Sequence, residues 1–88
     1  MATPEILMYS TSWCPYCERA RALLGAKGVA YTDIDIDKQP ERRDEMIART
    51  GRRTVPQIYI GERHVGGCDD LHELERTGAL DPLLHPAA

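Results

Sequence analysis

Two cysteines separated by two residues stand where a buried-strand pattern changes into a helix pattern, and this junction constrains the fold more than any other feature. Ile6 to Tyr9 is an apolar run and Glu18 to Lys27 is rich in helix formers, so Cys14 and Cys17 lie at a strand-to-helix turn. Unpaired backbone N–H groups and the helix dipole stabilise a thiolate at such a helix N-terminus. The arrangement predicts a thiol–disulfide redox site in which Cys14 is the more exposed and more reactive thiol.

The composition is that of one small globular domain. The chain has 88 residues, of which 42% are hydrophobic and 28% charged, and its formal net charge is −3. We therefore expect a single domain over residues 1–88 with a frayed tail at about 85–88, and a monomer without nucleic-acid or membrane partners. No apolar run approaches the length of a membrane span, and no signal peptide is visible. Because three cysteines do not make a secreted disulfide framework, we expect a cytoplasmic location.

Hydrophobic periodicity predicts the order strand, helix, strand, helix, strand, strand, helix. The first half is a βαβ unit with parallel strands, and the second half adds an antiparallel hairpin with a helix behind it. Together they make one mixed four-stranded sheet with helices on both faces. Beyond the first strand and helix, the predicted ranges are 31–37, 40–50, 57–60 and 63–65, followed by a short helix whose capping box would be Asp70 and Glu73.

The second predicted strand carries aspartates on one face. Ile34 and Ile36 alternate with Asp33, Asp35 and Asp37, so this strand is buried on one side only. Charges on the open face are typical of an edge strand. We interpret the aspartates as a solvated face, because alternate residues of a flat strand do not wrap a metal ion as a turn does.

Three separated motifs carry a resemblance to a known family. They are Cys14-Pro15-Tyr16-Cys17, Thr54-Val55-Pro56 and Gly66-Gly67-Cys68-Asp69-Asp70. In this order and spacing the sequence resembles the dithiol (class I) glutaredoxins of the bacterial glutaredoxin 3 type, from Ile6 to about Leu84. The resemblance implies an α/β thioredoxin fold, βαβαββα, with sheet order 2-1-3-4 and a cis peptide bond before Pro56.

The resemblance also implies an activity and its catalytic residues. It implies glutathione-dependent reduction of glutathionylated proteins and of protein disulfides, with Cys14 as nucleophile and Cys17 as the resolving thiol. These two cysteines would form the redox-active disulfide. The implied partners are glutathione, as reductant and co-substrate, and glutathionylated or disulfide-containing proteins such as reductases that need dithiol electrons. No metal is expected.

The implied glutathione site combines backbone and side-chain groups. Backbone N–H groups of Cys68 and Asp69 at a helix N-terminus suit a carboxylate, and the aspartate side chains of that motif suit an ammonium group. The Cys68 thiol is interpreted as an idle small hydrophobe. The expected glutathione-binding residues are Tyr16, Arg53, Thr54, Val55, Pro56, Gly67, Cys68, Asp69 and Asp70.

The sequence departs from the family at Thr11, where many glutaredoxins have a lysine that binds the glycine carboxylate of glutathione. Arg52, Arg53 and Gln57 are available substitutes, and we expect Arg53 to take most of this role. Tyr16 is interpreted as a ligand contact, against the alternative that it shields Cys17 from solvent. Trp13 is equally compatible with loop packing and with a substrate-facing ring.

Three other functions compete with this interpretation. An iron–sulfur carrier would bridge two chains through Cys14 and glutathione, but Pro15 and Cys17 argue against it. A zinc site needs four ligands in fixed geometry, and the chain's three histidines show no paired spacing. A general thioredoxin-like reductase would not need the amino-acid-reading motif at 68–70.

Overall fold

The computed structural model describes residues 4–85 and contains four strands and four helices. The sheet order is β2-β1-β3-β4, with β1 and β2 parallel and the other two pairs antiparallel. This confirms the predicted α/β fold and its 2-1-3-4 order; of the expected tail, residues 86–88 lie outside the described range. The elements are β1 (Ile6–Ser10), α1 (Pro15–Ala26), β2 (Thr32–Asp35), α2 (Pro40–Thr50), β3 (Gln57–Ile60), β4 (Arg63–Gly66), α3 (Cys68–Arg76) and α4 (Leu80–Leu84).

The sheet has a separate hydrophobic core on each face, because successive residues of β1 point in opposite directions. Met8 points toward α1, α3 and α4, whereas Tyr9 points toward α2. The larger core comprises Ile6, Met8, Ala20, Leu24, Ile58, Ile60, Leu71, Leu80 and Leu84. The smaller core comprises Tyr9, Ile34, Ile36, Met46 and Tyr59. Helices therefore cover both faces, as the periodicity predicts.

The edge strand β2 is shorter than predicted, because it ends in a turn built by one of its own aspartates. The Asp35 carboxylate accepts the backbone N–H groups of Asp37 and Lys38 at 2.9 and 3.2 Å, which competes with strand pairing. Ile36 is nevertheless buried. On the aspartate face, Asp33 and Asp37 are exposed as expected, and Asp33 also accepts a bond from Arg21 Nε at 2.6 Å.

The helix that follows β4 begins three residues earlier than its predicted capping box. Its N-cap is Gly67, and Asp70 occupies the third helical position. The Asp70 carboxylate accepts the backbone N–H of Gly67 at 2.9 Å, so the predicted pairing of Asp70 with Glu73 is wrong. Within residues 4–85, no helix is both long enough and apolar enough to cross a membrane.

Candidate active site

Cys14 is the N-cap of α1. Its backbone is extended, with φ −158° and ψ 113°, and Pro15 follows at the start of the helix, where its missing N–H costs no hydrogen bond. The backbone N–H of Cys17 donates to Cys14 Sγ at 3.4 Å, and Sγ lies 4.0 Å from the carbonyl oxygen of Val55. This half-buried thiol therefore meets an N–H donor at the positive end of a helix.

Cys17 lies one turn further along α1 and is fully buried. Burial raises the pKa of its thiol to about 12, and the hydrogen bond and charge of Cys14 add to this effect. A backbone hydrogen bond from Thr11 and the charge of Arg21 lower the pKa by less. All three cysteines are free thiols. The two thiols of the motif thus differ in the way the sequence predicts, with Cys14 accessible and Cys17 enclosed.

The loop before Cys14 is held by Arg21, a residue that the sequence reasoning missed. Arg21 Nη2 donates to Ser10 Oγ at 2.9 Å and to the Thr11 carbonyl oxygen at 3.2 Å. Its Nε binds Asp33 on β2, and Nη1 binds Glu18. The only sequence signal was its position, four residues after Cys17 on one face of α1.

A pocket of about 300 Å³ opens beside the start of α1. It brings together eight of the nine residues expected to bind glutathione; the exception is Arg53, whose place in the lining is taken by Arg52. The peptide bond between Val55 and Pro56 is cis, as the resemblance implies. The pocket is lined by Tyr16, Arg52, Thr54, Val55, Pro56, Gly67, Cys68, Asp69 and Asp70.

The wall of this pocket at the start of α3 depends on a close contact between Gly66 and Asp70. Gly66 has φ +114°, and a Cβ at this position would lie 2.8 Å from Asp70 Cγ and overlap Oδ2. Asp70 also accepts a bond from Arg52 Nη1 at 3.3 Å. Asp70 is therefore engaged by Gly67 and Arg52, whereas the side chain of Asp69 is exposed beside the helix N-terminus.

Replacing Gly66 by alanine is expected to lower the free energy of unfolding by about 1–3 kcal/mol, because alanine is strained at this φ and displaces Asp70. Gly25→Ala is the matched control, since Gly25 lies inside α1 with nothing within 4 Å of an added Cβ. That change should stabilise the protein by about 0.5–1 kcal/mol. Urea denaturation measures both, and equal effects at the two positions would contradict the strain argument.

Gln57 is buried and supports the Thr54–Pro56 loop from behind. Its Nε2 donates to the Thr54 carbonyl oxygen at 3.1 Å and to Thr54 Oγ1 at 3.2 Å. Its Oε1 lies 2.7 Å from His64 Nε2. Burial, with the charge of Arg52, lowers the pKa of His64. Since both ends of its amide are occupied inside the protein, Gln57 is not available as the ligand-binding substitute that its position suggests.

Residues 4–85 contain no group of three or more histidine, cysteine, aspartate or glutamate side chains placed to hold a metal ion. One pair of such side chains in this region is in contact, with Cys68 Sγ 3.3 Å from His72 Nδ1. His72 Nδ1 is also 2.9 Å from the Cys68 carbonyl oxygen, within the same helix. The expectation that the chain uses no metal stays a prediction.

A dithiol at a helix N-terminus, facing a cis-proline loop on a four-stranded mixed sheet, defines a thiol–disulfide site of the thioredoxin-fold class. The glutaredoxin family model matches residues 6–65, and the chain belongs to the glutaredoxin family. Members of this family are generally thiol–disulfide oxidoreductases.

Individual relatives match over nearly the full chain. Glutaredoxin from Pseudomonas aeruginosa is 58% identical over 81 residues, covering 92% of this chain and 96% of the relative. Glutaredoxin 3 from Escherichia coli strain K12 is 55% identical over 84 residues, covering 96% of this chain and 99% of the relative. The crystal structure of a buckwheat glutaredoxin–glutathione complex superposes with a TM-score of 0.85 at 34% identity, covering 92% of this chain and 76% of the buckwheat chain.

Proposed function

We propose that this protein is a glutathione-dependent oxidoreductase that reduces glutathionylated proteins and protein disulfides, acting as a monomer in a reducing cytoplasm. The observation that carries the proposal is the position of Cys14. Its thiol lies at the N-terminus of α1 and contacts Val55, at the edge of a pocket whose far wall is the N-terminus of α3. The buckwheat relative, whose structure is a complex with glutathione, supports glutathione as the ligand of this pocket.

The chemistry of the pocket fits the two ends of glutathione. The γ-glutamyl end carries a carboxylate and an ammonium group on one carbon. Backbone N–H groups of Cys68 and Asp69 at the start of α3 suit the carboxylate, and the exposed Asp69 side chain suits the ammonium. The central cysteine would lie along the backbone of Val55, as in strand addition. Arg52 also lines the pocket, with Nη1 3.3 Å from Asp70, and is the cation of the lining that can meet the glycine carboxylate.

Deglutathionylation needs only Cys14. Its thiolate attacks the glutathione sulfur of a mixed disulfide, a new disulfide forms between Cys14 and glutathione, and the protein leaves as a thiolate that takes up a proton. A second glutathione thiolate then attacks the bound glutathione sulfur. Oxidised glutathione is released, and the Cys14 thiolate is restored beside the N–H of Cys17.

Reduction of a protein disulfide needs both thiols in sequence. Cys14 attacks one substrate sulfur to form a mixed disulfide, and Cys17 then attacks Cys14 Sγ, which frees the substrate dithiol and leaves a Cys14–Cys17 disulfide for two glutathiones to reduce. In the free enzyme, the hydrogen bond and charge of Cys14 help to raise the pKa of Cys17. Both contributions disappear once Cys14 is bonded to substrate. Losing these two contributions, which are smaller than that of burial, lowers the pKa of Cys17 and favours its attack after the first step rather than before it.

The electron source tests the proposed function directly. A small glutathione mixed disulfide is supplied with glutathione and glutathione reductase in one assay, and with thioredoxin reductase alone in a second. Turnover is expected only in the first assay, because the pocket presents groups for both ends of glutathione. Turnover with thioredoxin reductase alone would favour the thioredoxin-like alternative.

Arg52 and Arg53 are the proposed cations for the glycine carboxylate, and the structure favours Arg52 because it lines the pocket. Arg52→Ala should raise the KM for a glutathione mixed disulfide by about 2- to 10-fold with little change in kcat, the size of one exposed charge-assisted contact. Arg53→Ala is measured beside it, with a smaller rise expected.

Arg43→Ala is the matched control, because it removes the same charge from an exposed position on α2. Its KM should equal that of the unmodified protein. If Arg52→Ala and Arg53→Ala also leave the KM unchanged, neither arginine replaces the missing lysine at position 11. A larger rise for Arg53→Ala than for Arg52→Ala would support the choice made from the sequence.

A further inference from the structure

Two exposed aromatic side chains flank Cys14, but they line different grooves. Within residues 4–85, Trp13 and Tyr16 are the large hydrophobic side chains that are exposed, by 86% and 54%. Tyr16 lines the pocket described above. Trp13 lines a second groove of about 230 Å³, here called the Trp13 groove, whose other lining residues are Ser12, Cys14, Pro15 and Glu18. Cys14 therefore stands between two surfaces of different chemistry.

The exposure of Trp13 argues against loop packing and favours a substrate-facing ring. A tryptophan that packed its loop would be buried, whereas this ring leaves most of its surface in water. The loop around it is held by other groups, including Arg21 at the Thr11 carbonyl and Thr11 Oγ1 at the Trp13 carbonyl, 3.4 Å away. An exposed tryptophan beside the reactive thiol offers a large apolar contact.

We propose that the Trp13 groove is the docking surface for the polypeptide part of a disulfide-bonded protein substrate, with an apolar residue next to the substrate cysteine covering Trp13. This inference rests on the proposed function, because it assumes exchange at Cys14. Cys14 itself lines the groove, so whatever is bonded to its sulfur is tethered there. A polypeptide extends in both directions from its cysteine and can reach both the Val55 side and the Trp13 side of Cys14.

The charges of the Trp13 groove select against glutathione as its occupant. Its one charged lining residue is Glu18, which is 66% exposed even though it pairs with Arg21. Asp35 stands next to the groove and accepts a bond from the Ser12 hydroxyl. Glutathione carries two carboxylates, and the cation and helix N-terminus that would bind them lie in the other pocket. An apolar segment that is uncharged or flanked by basic residues fits the Trp13 groove, whereas an acidic segment does not.

Fluorescence tests the docking without requiring turnover, since Trp13 is the only tryptophan of the chain. Full-length Cys17→Ser protein is trapped as a Cys14 mixed disulfide with one of three adducts, and a single addition is verified by mass. The adducts are glutathione, a short peptide with leucine beside its cysteine, and the same peptide with aspartate in place of leucine. The leucine peptide alone should shift tryptophan emission to the blue and protect it from acrylamide. Identical spectra for all three adducts, or the same shift with glutathione, would overturn the proposal.

Kinetics provide a second readout. The ratio of kcat/KM for a leucine-flanked peptide disulfide to kcat/KM for a small glutathione mixed disulfide should fall about tenfold in Trp13→Ala, the scale of a lost interface anchor. Trp13→Phe should restore most of this ratio. Arg19→Ala is the control, because Arg19 is exposed on α1 outside both linings. A ratio unmoved by Trp13→Ala would sink the docking surface, whereas failure of both substrates would instead sink the proposed function.

Discussion

Replacing Cys14 by serine is expected to lower kcat/KM at least about 10³-fold for every disulfide substrate, because the attacking thiolate is lost. Serine is nearly isosteric and can still occupy the N-cap position of α1. Its hydroxyl cannot exchange with a disulfide. The fold should therefore survive while the chemistry stops, and the change should affect deglutathionylation and protein disulfide reduction alike.

Two measurements separate this outcome from unfolding. Thermal unfolding should shift by only a few degrees, since a serine N-cap is among the favoured ones. Incubation with oxidised glutathione should leave Cys14→Ser without the fast adduct that the unmodified protein forms, as read by mass. If Cys14→Ser kept substantial deglutathionylation, Cys17 or Cys68 would be acting as a nucleophile. The burial of both thiols, which raises the pKa of each, argues against that result.

The redox turn could be predicted from the sequence because its chemistry is local. Cys14 and Cys17 lie within one helical turn, and the N-cap position of Cys14 follows from the strand and helix on either side of it. The motif at 66–70 is also local, yet its sequence pattern predicts the wrong capping pair. The Asp70 carboxylate accepts the backbone N–H of Gly67, so Asp70 is the third residue of the helix and not its N-cap. Gly67 and Asp70 are three residues apart, as are Asp70 and Glu73, so the spacing alone allows both pairs.

The supports of the site could not be predicted in the same way, because they join residues that are distant in sequence. Arg52 meets Asp70 across 18 positions, and Arg21 meets Asp33 across 12. Gln57 illustrates the difficulty most clearly. Polar and next to Pro56, it has the sequence character of a ligand-binding residue, but the hairpin brings His64 to its amide and buries it.

Cys17→Ser is expected to separate the two proposed activities. Reduction of protein disulfides should fall at least about 10²-fold, because no thiol remains to attack the Cys14 mixed disulfide. Deglutathionylation needs only Cys14 and should be kept within about threefold of the unmodified protein. Parallel assays with a peptide disulfide and a glutathione mixed disulfide measure the separation. Equal loss of both activities would mean that Cys17 also takes part in the single-thiol route.

The alkaline stability of the same variant tests the burial of Cys17 without any substrate. Burial raises the pKa of this thiol from 9.0 to about 12, so above pH 9 the unfolded chain loses a proton that the folded chain keeps. The free energy of unfolding should therefore fall as pH rises through this range, by up to about 1.4 kcal/mol per pH unit from this group. Serine does not titrate here, so Cys17→Ser should show a shallower fall above pH 9 and the same slope as the unmodified protein below pH 8. Because Cys68 and Tyr9 titrate in both proteins, the difference between the two curves isolates Cys17.

Parallel curves at all pH values would show that the Cys17 thiol ionises equally readily in the folded and unfolded chain. The delayed activation proposed for the resolving step would then have no basis.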